Sequence, residues 1–163
     1  MRRDPTCPRG GEALRPPGLW SNGWECTRHG SVHPYYVLSH AGVDAIAHVV
    51  NQAGVPVWMV RGLPFGWVSS GFGYAGDERT GARATVTCLS GPAPLGGPAD
   101  LLVVAEEPGI GLGARHAGLA EGTDPGIGFD MGAPDAKLFA AGHPTPLWSV
   151  EAADDRAVFL GEA

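Results

Sequence analysis

Residues 83–89 read Arg-Ala-Thr-Val-Thr-Cys-Leu. Side chains along a strand point alternately to its two faces, so the alternation of Ala84, Val86 and Cys88 with threonines predicts a strand, over 82–89. Cys88 then lies among apolar residues and is interpreted as an inert part of the core. A similar alternation recurs near the end of the chain, over 156–160.

Further short strands are predicted on both sides of this stretch. They cover 57–61, 66–72, 101–106, 136–140 and 147–151, and clusters of Gly and Pro separate them. Short links favour antiparallel pairing over helical crossovers. We therefore predict an α+β fold with a mainly antiparallel, twisted sheet over about 56–160. The segment 108–134 carries little strand or helix signal and is predicted to be a mobile loop.

One helix is predicted, over about 39–54. Ser39 is a suitable N-cap, and Asp44 lies in the early turns, where negative charge suits the helix dipole. Gly54 is suited to ending the helix. Apolar residues at three- and four-residue spacing make one face, namely Val43, Ile46, Val50 and Ala53.

The first 34 residues contain few aliphatic side chains but two knuckle-like motifs. These read Cys7-Pro8-Arg9-Gly10-Gly11 and Cys26-Thr27-Arg28-His29-Gly30. A zinc knuckle presents two ligands three positions apart and a Gly just after them, and the distance between the two motifs suits a two-knuckle ribbon. Gly10 stands where the second ligand is expected and has no side chain. We therefore predict a degenerate zinc-ribbon-like module over 1–34, followed by an α+β domain over 35–163.

Three interpretations of this module remain open. Cys7, Cys26 and His29 form a three-ligand zinc site, with water or His33 as the fourth ligand. Alternatively, the metal has been lost, because structural zinc sites normally need four protein ligands, and aromatic packing holds the fold. In the third interpretation, Cys7 and Cys26 are ordinary buried residues. The cofactor is accordingly zinc or none.

Two other groups of residues are candidates for chemistry. The stretch 109–114 reads Gly-Ile-Gly-Leu-Gly-Ala, with Gly109, Gly111 and Gly113 in the spacing of a dinucleotide-binding turn. The following helix is expected to be very short, which favours a flexible loop. His116 beside Arg115, and His143 before a proline, are candidates for proton transfer or anion binding.

Composition bounds the function. Gly (26) and Pro (15) make up about a quarter of the 163 residues, whereas 44% of residues are hydrophobic and only 17% are charged. Disordered chains usually show the opposite balance, so the composition indicates a loop-rich folded domain. The net charge of −6 and the lack of basic runs argue against nucleic-acid binding. No apolar run is long enough to span a membrane, and three cysteines without an export signal favour the cytoplasm.

Several stretches carry a resemblance to a known family. They include Cys7-Pro8-Arg9, Pro94-Leu95-Gly96-Gly97-Pro98 and the segments 55–58, 75–77, 80–85, 102–109, 111–115, 141–145 and 154–159. In these the chain resembles an actinobacterial family of unknown function. The resemblance implies a Cys-Pro-x-Cys-Gly-Gly knuckle, from which Gly10 departs. It also implies that this chain is C-terminally shortened.

We expect a non-enzymatic binding or regulatory module with a vestigial zinc-ribbon head, acting on a protein partner or small ligand. An unpaired last strand would also favour self-association. The alternative is a small enzyme for phosphorylated or acyl substrates that uses the Gly109–Ala114 loop, since some relatives carry a phosphotransacetylase label. Phosphotransacetylases, however, are much longer two-domain α/β enzymes.

Overall fold

A computed structural model describes residues 4–38, 42–120, 122–124 and 126–162, and its architecture is α+β as predicted. The chain divides into two compact units, one ending at Leu112 and the other beginning at Gly113. The boundary between residues 34 and 35 stays a prediction. Within the described residues, neither helix has the length and apolar character needed to cross a membrane.

The first unit is built on a four-stranded antiparallel sheet. Its strands lie in the order β3 (Tyr35–Leu38), β4 (Val68–Asp77), β5 (Gly81–Pro92) and β6 (Pro98–Glu106). A separate two-stranded hairpin consists of β1 (Glu25–Cys26) and β2 (Gly30–Ser31). The strand predicted over 82–89 is therefore confirmed as part of β5, which lies between β4 and β6 in the sheet.

The alternation along the sheet places a cluster of core residues on each face. Tyr35 packs with Ala75, Ala84, Val86, Ile110 and Leu112, whereas the adjacent Tyr36 packs with Val49, Phe72, Tyr74 and Ala82. Neighbouring residues of a strand point to opposite faces, which is why Tyr35 and Tyr36 enter different clusters. Cys88 is half-buried and packs against the first cluster, as the sequence pattern predicted.

The predicted strand over 57–61 is wrong. This segment has no strand hydrogen bonding, and the side chains of β5 hold the chain just before and within it. The buried hydroxyls of Thr85 and Thr87 donate to the carbonyl oxygens of Pro56 and Trp58, at 2.6 and 2.8 Å. These side-chain bonds satisfy backbone groups that a sheet would otherwise pair.

The predicted helix is shorter than its pattern suggested. It is α1 (Val43–Gln52), with Gly42 as the N-cap, and Ser39 lies outside the described residues. The chain leaves the helix because the Gly54 N–H donates to the Ala82 carbonyl, at 2.8 Å. The predicted apolar face is right for Ile46, which packs against the second core cluster, and wrong for Val43 and Val50, which are exposed, while Val49 is fully buried.

The second unit contains a three-stranded antiparallel sheet. It comprises β7 (Ala136–Ala140), β8 (His143–Val150) and β9 (Val158–Leu160). The bounds of β7 agree with the prediction, and β8 begins earlier than predicted. A helix, α2 (Leu112–Ala117), starts at the boundary between the units and lies in the segment predicted to lack regular structure. Ile110 and Leu112, at the end of the first unit, belong to the first core cluster.

Candidate metal centre

The first knuckle is a tight turn fixed to the sheet. Thr6 and Tyr35 exchange two backbone hydrogen bonds of 2.9 and 2.8 Å. Cys7 therefore directly follows a residue that is paired with the edge strand β3. The Gly11 N–H donates to the Cys7 carbonyl at 2.9 Å, and the Cys7 N–H donates to the Glu12 carbonyl at 2.8 Å. Gly11 has a φ of 84°, a conformation that favours glycine. The turn therefore brings the chain back so that Glu12 lies beside Cys7.

The second knuckle is the β1–β2 hairpin. Cys26 pairs with Gly30, which has a φ of 67°. Arg15 and Glu25 exchange backbone hydrogen bonds of 2.9 and 3.0 Å, which hold the hairpin against the preceding segment. The resulting turn presents Cys26 and His29 on the same side, as the three-residue spacing predicted.

The two turns bring four ligand atoms together. The Sγ atoms of Cys7 and Cys26 each lie 3.4 Å from Nδ1 of His29. Oε2 of Glu12 lies 3.8 Å from Sγ of Cys26 and 3.9 Å from Nδ1 of His29. All four ligand atoms lie within 4.8 Å of one another, a spacing that could hold a metal ion. Both cysteines are buried, with 0% and 3% of their surface exposed.

Glu12 occupies the space that a side chain at residue 10 would need. A Cβ added to Gly10 would lie 2.6 Å from Cδ of Glu12 and still closer to both of its carboxylate oxygens. Real Cβ atoms do not approach other heavy atoms so closely. The side chain that is missing at Gly10 is therefore replaced in space by a carboxylate from two positions further along the chain.

The local charges suit a carboxylate at this position. A hydrogen bond from its own backbone N–H, together with the nearby charges of His29 and Arg28, lowers the pKa of the Glu12 carboxyl below its ordinary value. Arg28 lies 3.6 Å from Oε1 of Glu12, while Oε2 is the oxygen that lies 3.8 Å from Sγ of Cys26. Burial raises the pKa of the Cys7 thiol. In the absence of metal, Glu12 is thus the ready anionic ligand of the group.

The distances fit a tetrahedral ion. Zinc bonds of about 2.3 Å to sulfur and about 2.0–2.1 Å to nitrogen or oxygen place neighbouring ligand atoms about 3.3–3.8 Å apart. Four of the six separations within the cluster are 3.4 to 3.9 Å, and all six are within 4.8 Å. Two sulfurs, one imidazole and one carboxylate form a donor set that zinc accepts.

Sequence reasoning identified three of these four residues and missed Glu12. The signal was present, since Glu12 is an acidic residue two positions after the missing ligand. His33 does not join the group. It lies beside a cleft of about 350 Å³ that Asp77 and Arg79 also line.

Two hydrogen bonds within the first unit involve residues of the Gly-rich stretch, while Gly109 itself is exposed. The N–H of Leu112, which opens α2, donates to Oε2 of Glu106 at 2.8 Å, so a carboxylate stands where a phosphate would bind. Arg9 donates to the Gly109 carbonyl at 2.6 Å, and its side chain would contact a Cβ on Gly111. Gly113 lies within α2, which has only six residues, as the expectation of a very short helix required.

The candidate proton-transfer residues lie in the second unit. His116 is half-buried in α2, and its carbonyl accepts a hydrogen bond from Arg156 at 2.8 Å. Burial, with the nearby charges of Arg115 and Arg156, lowers the pKa of His116 to about 4. His143 is exposed at the start of β8, where it pairs with Ala140.

The chain belongs to a family of unknown function, DUF6758, whose model matches residues 1–163. This confirms the resemblance to a family of unknown function. No curated protein and no solved structure matches the chain significantly.

Proposed function

We propose that Cys7, Glu12, Cys26 and His29 hold a zinc ion in a closed structural site, and that the protein is a zinc-stabilised binding module. The observation that carries the proposal is the convergence of four ligand atoms within 4.8 Å from two separate turns. Four protein ligands leave no open position for substrate, which is typical of structural rather than catalytic zinc.

The site would join two pieces of chain that contain little apolar surface of their own. One ligand follows Thr6, which pairs with β3, and two others belong to the β1–β2 hairpin. A metal bound only by the folded arrangement adds its binding free energy to the stability of the fold. We propose that zinc thereby fixes the hairpin against the edge of the sheet.

We propose a cytoplasmic location for this function. Zinc binding at the site would use the thiolates of Cys7 and Cys26. Zinc coordination needs reduced cysteines, which the cytoplasm maintains. We propose that a protein or small molecule is the partner of the module.

Metal analysis of protein purified without chelator tests the zinc proposal. We expect about one zinc per chain in the wild type and little in Cys26→Ser. Cys88→Ser is the matched control, because Cys88 packs against the sheet core and should leave the zinc content unchanged. Wild-type protein without stoichiometric metal, even after refolding with added zinc, would show that the site is not a metal centre.

A further inference from the structure

A second cleft lies between the cysteine-containing segment, α1 and the end of β4, all within the first unit. Its volume is about 370 Å³, within the range of small-ligand sites. Arg79 lines the cleft with six side chains that are aromatic or acidic, namely Trp24, Tyr36, His48, Tyr74, Asp77 and Glu78. None of these six belongs to the metal-ligand group.

The aromatic side of the cleft is packed into a defined arrangement. The rings of Tyr36 and Tyr74 lie 5.2 Å apart between centroids, and those of His48 and Tyr74 lie 5.6 Å apart. Nε2 of His48 is 3.2 Å from the Tyr74 hydroxyl. Both tyrosines are buried in the second core cluster, so the cleft has a rigid aromatic floor. Trp24 contributes from the opposite segment.

The acidic side comes from the turn that follows β4. Hydrogen bonds from the N–H groups of Arg79 and Thr80 and from the Thr80 hydroxyl all end on Oδ1 of Asp77, at 2.9–3.0 Å. Burial raises the pKa of the Asp77 carboxyl, but these bonds and the nearby His33 together bring it below its ordinary value. Glu78 adds an exposed carboxylate. The one basic side chain of the turn, Arg79, is directed to the Asn22 carbonyl at 2.8 Å.

Aromatic faces beside carboxylates attract organic cations. The electron-rich face of an aromatic ring stabilises an ammonium group, and a carboxylate nearby adds Coulombic attraction. An anionic ligand would meet repulsion from Asp77 and Glu78. A purely apolar ligand would remove these charges from water without compensation.

We propose that this cleft binds a quaternary or alkylated ammonium group, with Trp24 and the tyrosine floor contacting the alkyl groups and Asp77 and Glu78 balancing the charge. This names a ligand class for the proposed binding module and rests on that proposed function. The zinc content of each sample is measured separately, so that failure of the cleft and failure of the metal site are distinguishable.

The test uses choline as the probe and its neutral carbon isostere, 3,3-dimethyl-1-butanol, as the comparison. The full chain, labelled with ¹⁵N, is titrated while the indole N–H resonance of Trp24 is followed; Trp24→Phe assigns the resonance. We expect choline to shift it with a dissociation constant on the order of 1–10 mM. The isostere should bind at least about tenfold more weakly, because it has the same shape without the charge.

Variants distinguish the cleft from general surface attraction. Glu78→Gln should weaken choline binding by about three- to tenfold, whereas Glu25→Gln, an acidic residue of the β1–β2 hairpin, should not. The ¹⁵N spectrum of Glu78→Gln without ligand should otherwise match that of the wild type, which guards against loss of fold as an explanation. Equal binding of choline and its isostere, or no effect of Glu78→Gln, would overturn the proposal, as would the absence of any saturable shift.

Discussion

The carboxylate of Glu12 lies in the space that a side chain on residue 10 would occupy. A Cβ on Gly10 would approach Cδ of Glu12 to 2.6 Å, so a side chain at residue 10 would require the Glu12 carboxylate to move. Gly10 thus leaves room for Glu12 to lie beside Cys26 and His29. Gly10 is compatible with a four-ligand site, provided that Glu12 supplies the fourth ligand.

Removal of metal should destabilise the first unit. A ligand that binds only the folded state adds about 3–4 kcal/mol when its free concentration is about 100 to 1,000 times its dissociation constant. Wild-type protein should therefore unfold at lower temperature in a strong chelator than in buffer with excess zinc. The unfolding temperature of Cys26→Ser should not respond to either condition, and a chelator-insensitive wild type would contradict a stabilising metal.

The buried threonines of β5 should contribute to stability through their hydroxyls. Thr85→Val keeps the shape of the side chain but leaves the Pro56 carbonyl without its 2.6 Å donor. We expect a loss of about 1–2 kcal/mol in the free energy of unfolding, measured in urea. Thr27→Val, at an exposed position, is the control and should change it by less than about 0.5 kcal/mol. Equal stability of the two variants would mean that the hydrogen bond from Thr85 to Pro56 does not contribute to the free energy of unfolding.

Acid should weaken the fold through His116. Its pKa in the fold is lowered to about 4, while an unfolded histidine has a pKa of about 6.5. The neutral form is thus preferred in the folded state, so its contribution is complete above pH 6.5 and is lost as the pH falls towards 4.

The difference in stability between wild type and His116→Gln isolates this effect from other titrating groups. Between pH 7.5 and pH 4.5 it should change by about 1–3 kcal/mol, the wild type losing more. The same comparison with His143→Gln, an exposed histidine, should show little change. If His116→Gln and the wild type lose stability in parallel, His116 is not held neutral by the fold.

The elements that the sequence predicted well are those whose pattern is local. The alternation over 83–89 identifies β5, and the Gly and Pro cluster after it marks the turn that leads to β6. The strand prediction over 57–61 was wrong. The apolar and β-branched residues of this segment suit a strand, but the backbone carbonyls in and just before it accept hydrogen bonds from threonine hydroxyls of β5. The apolar face of α1 was predicted correctly at Ile46 and wrongly at Val43 and Val50, because burial depends on which side of the helix meets the sheet. No spacing rule shows that.

Three of the four candidate ligands could be predicted because their pattern is also local. Cys26 and His29 belong to one turn, and Cys7 opens another, so their spacing is visible in the sequence. Glu12 was missed because its role depends on the path of the backbone after Gly11, which returns the chain to Cys7. A knuckle motif specifies its ligands by their spacing, and that spacing does not include a carboxylate two positions after Gly10.

Exchange of the ligand between positions 10 and 12 should be reciprocal. Gly10→Cys alone places a side chain where Glu12 already lies, so it should not simply add a ligand. Combining Gly10→Cys with Glu12→Ala, which removes the side chain from that space, should give a site with three cysteines and one histidine that again binds zinc tightly. The thiolate-to-metal absorption of the cobalt-loaded protein, which grows with the number of cysteine ligands, should be stronger in the double variant than in the wild type. Unchanged absorption would mean that residue 10 cannot reach the metal.

The most direct measurement is the zinc affinity of Glu12→Gln, determined by competition with a chromophoric chelator and compared with the wild type and Glu25→Gln. Loss of a metal ligand should weaken binding by about 100-fold or more, while Glu25→Gln should match the wild type. Glu12→Gln binding zinc as tightly as the wild type would contradict the assignment of Glu12 as the fourth ligand.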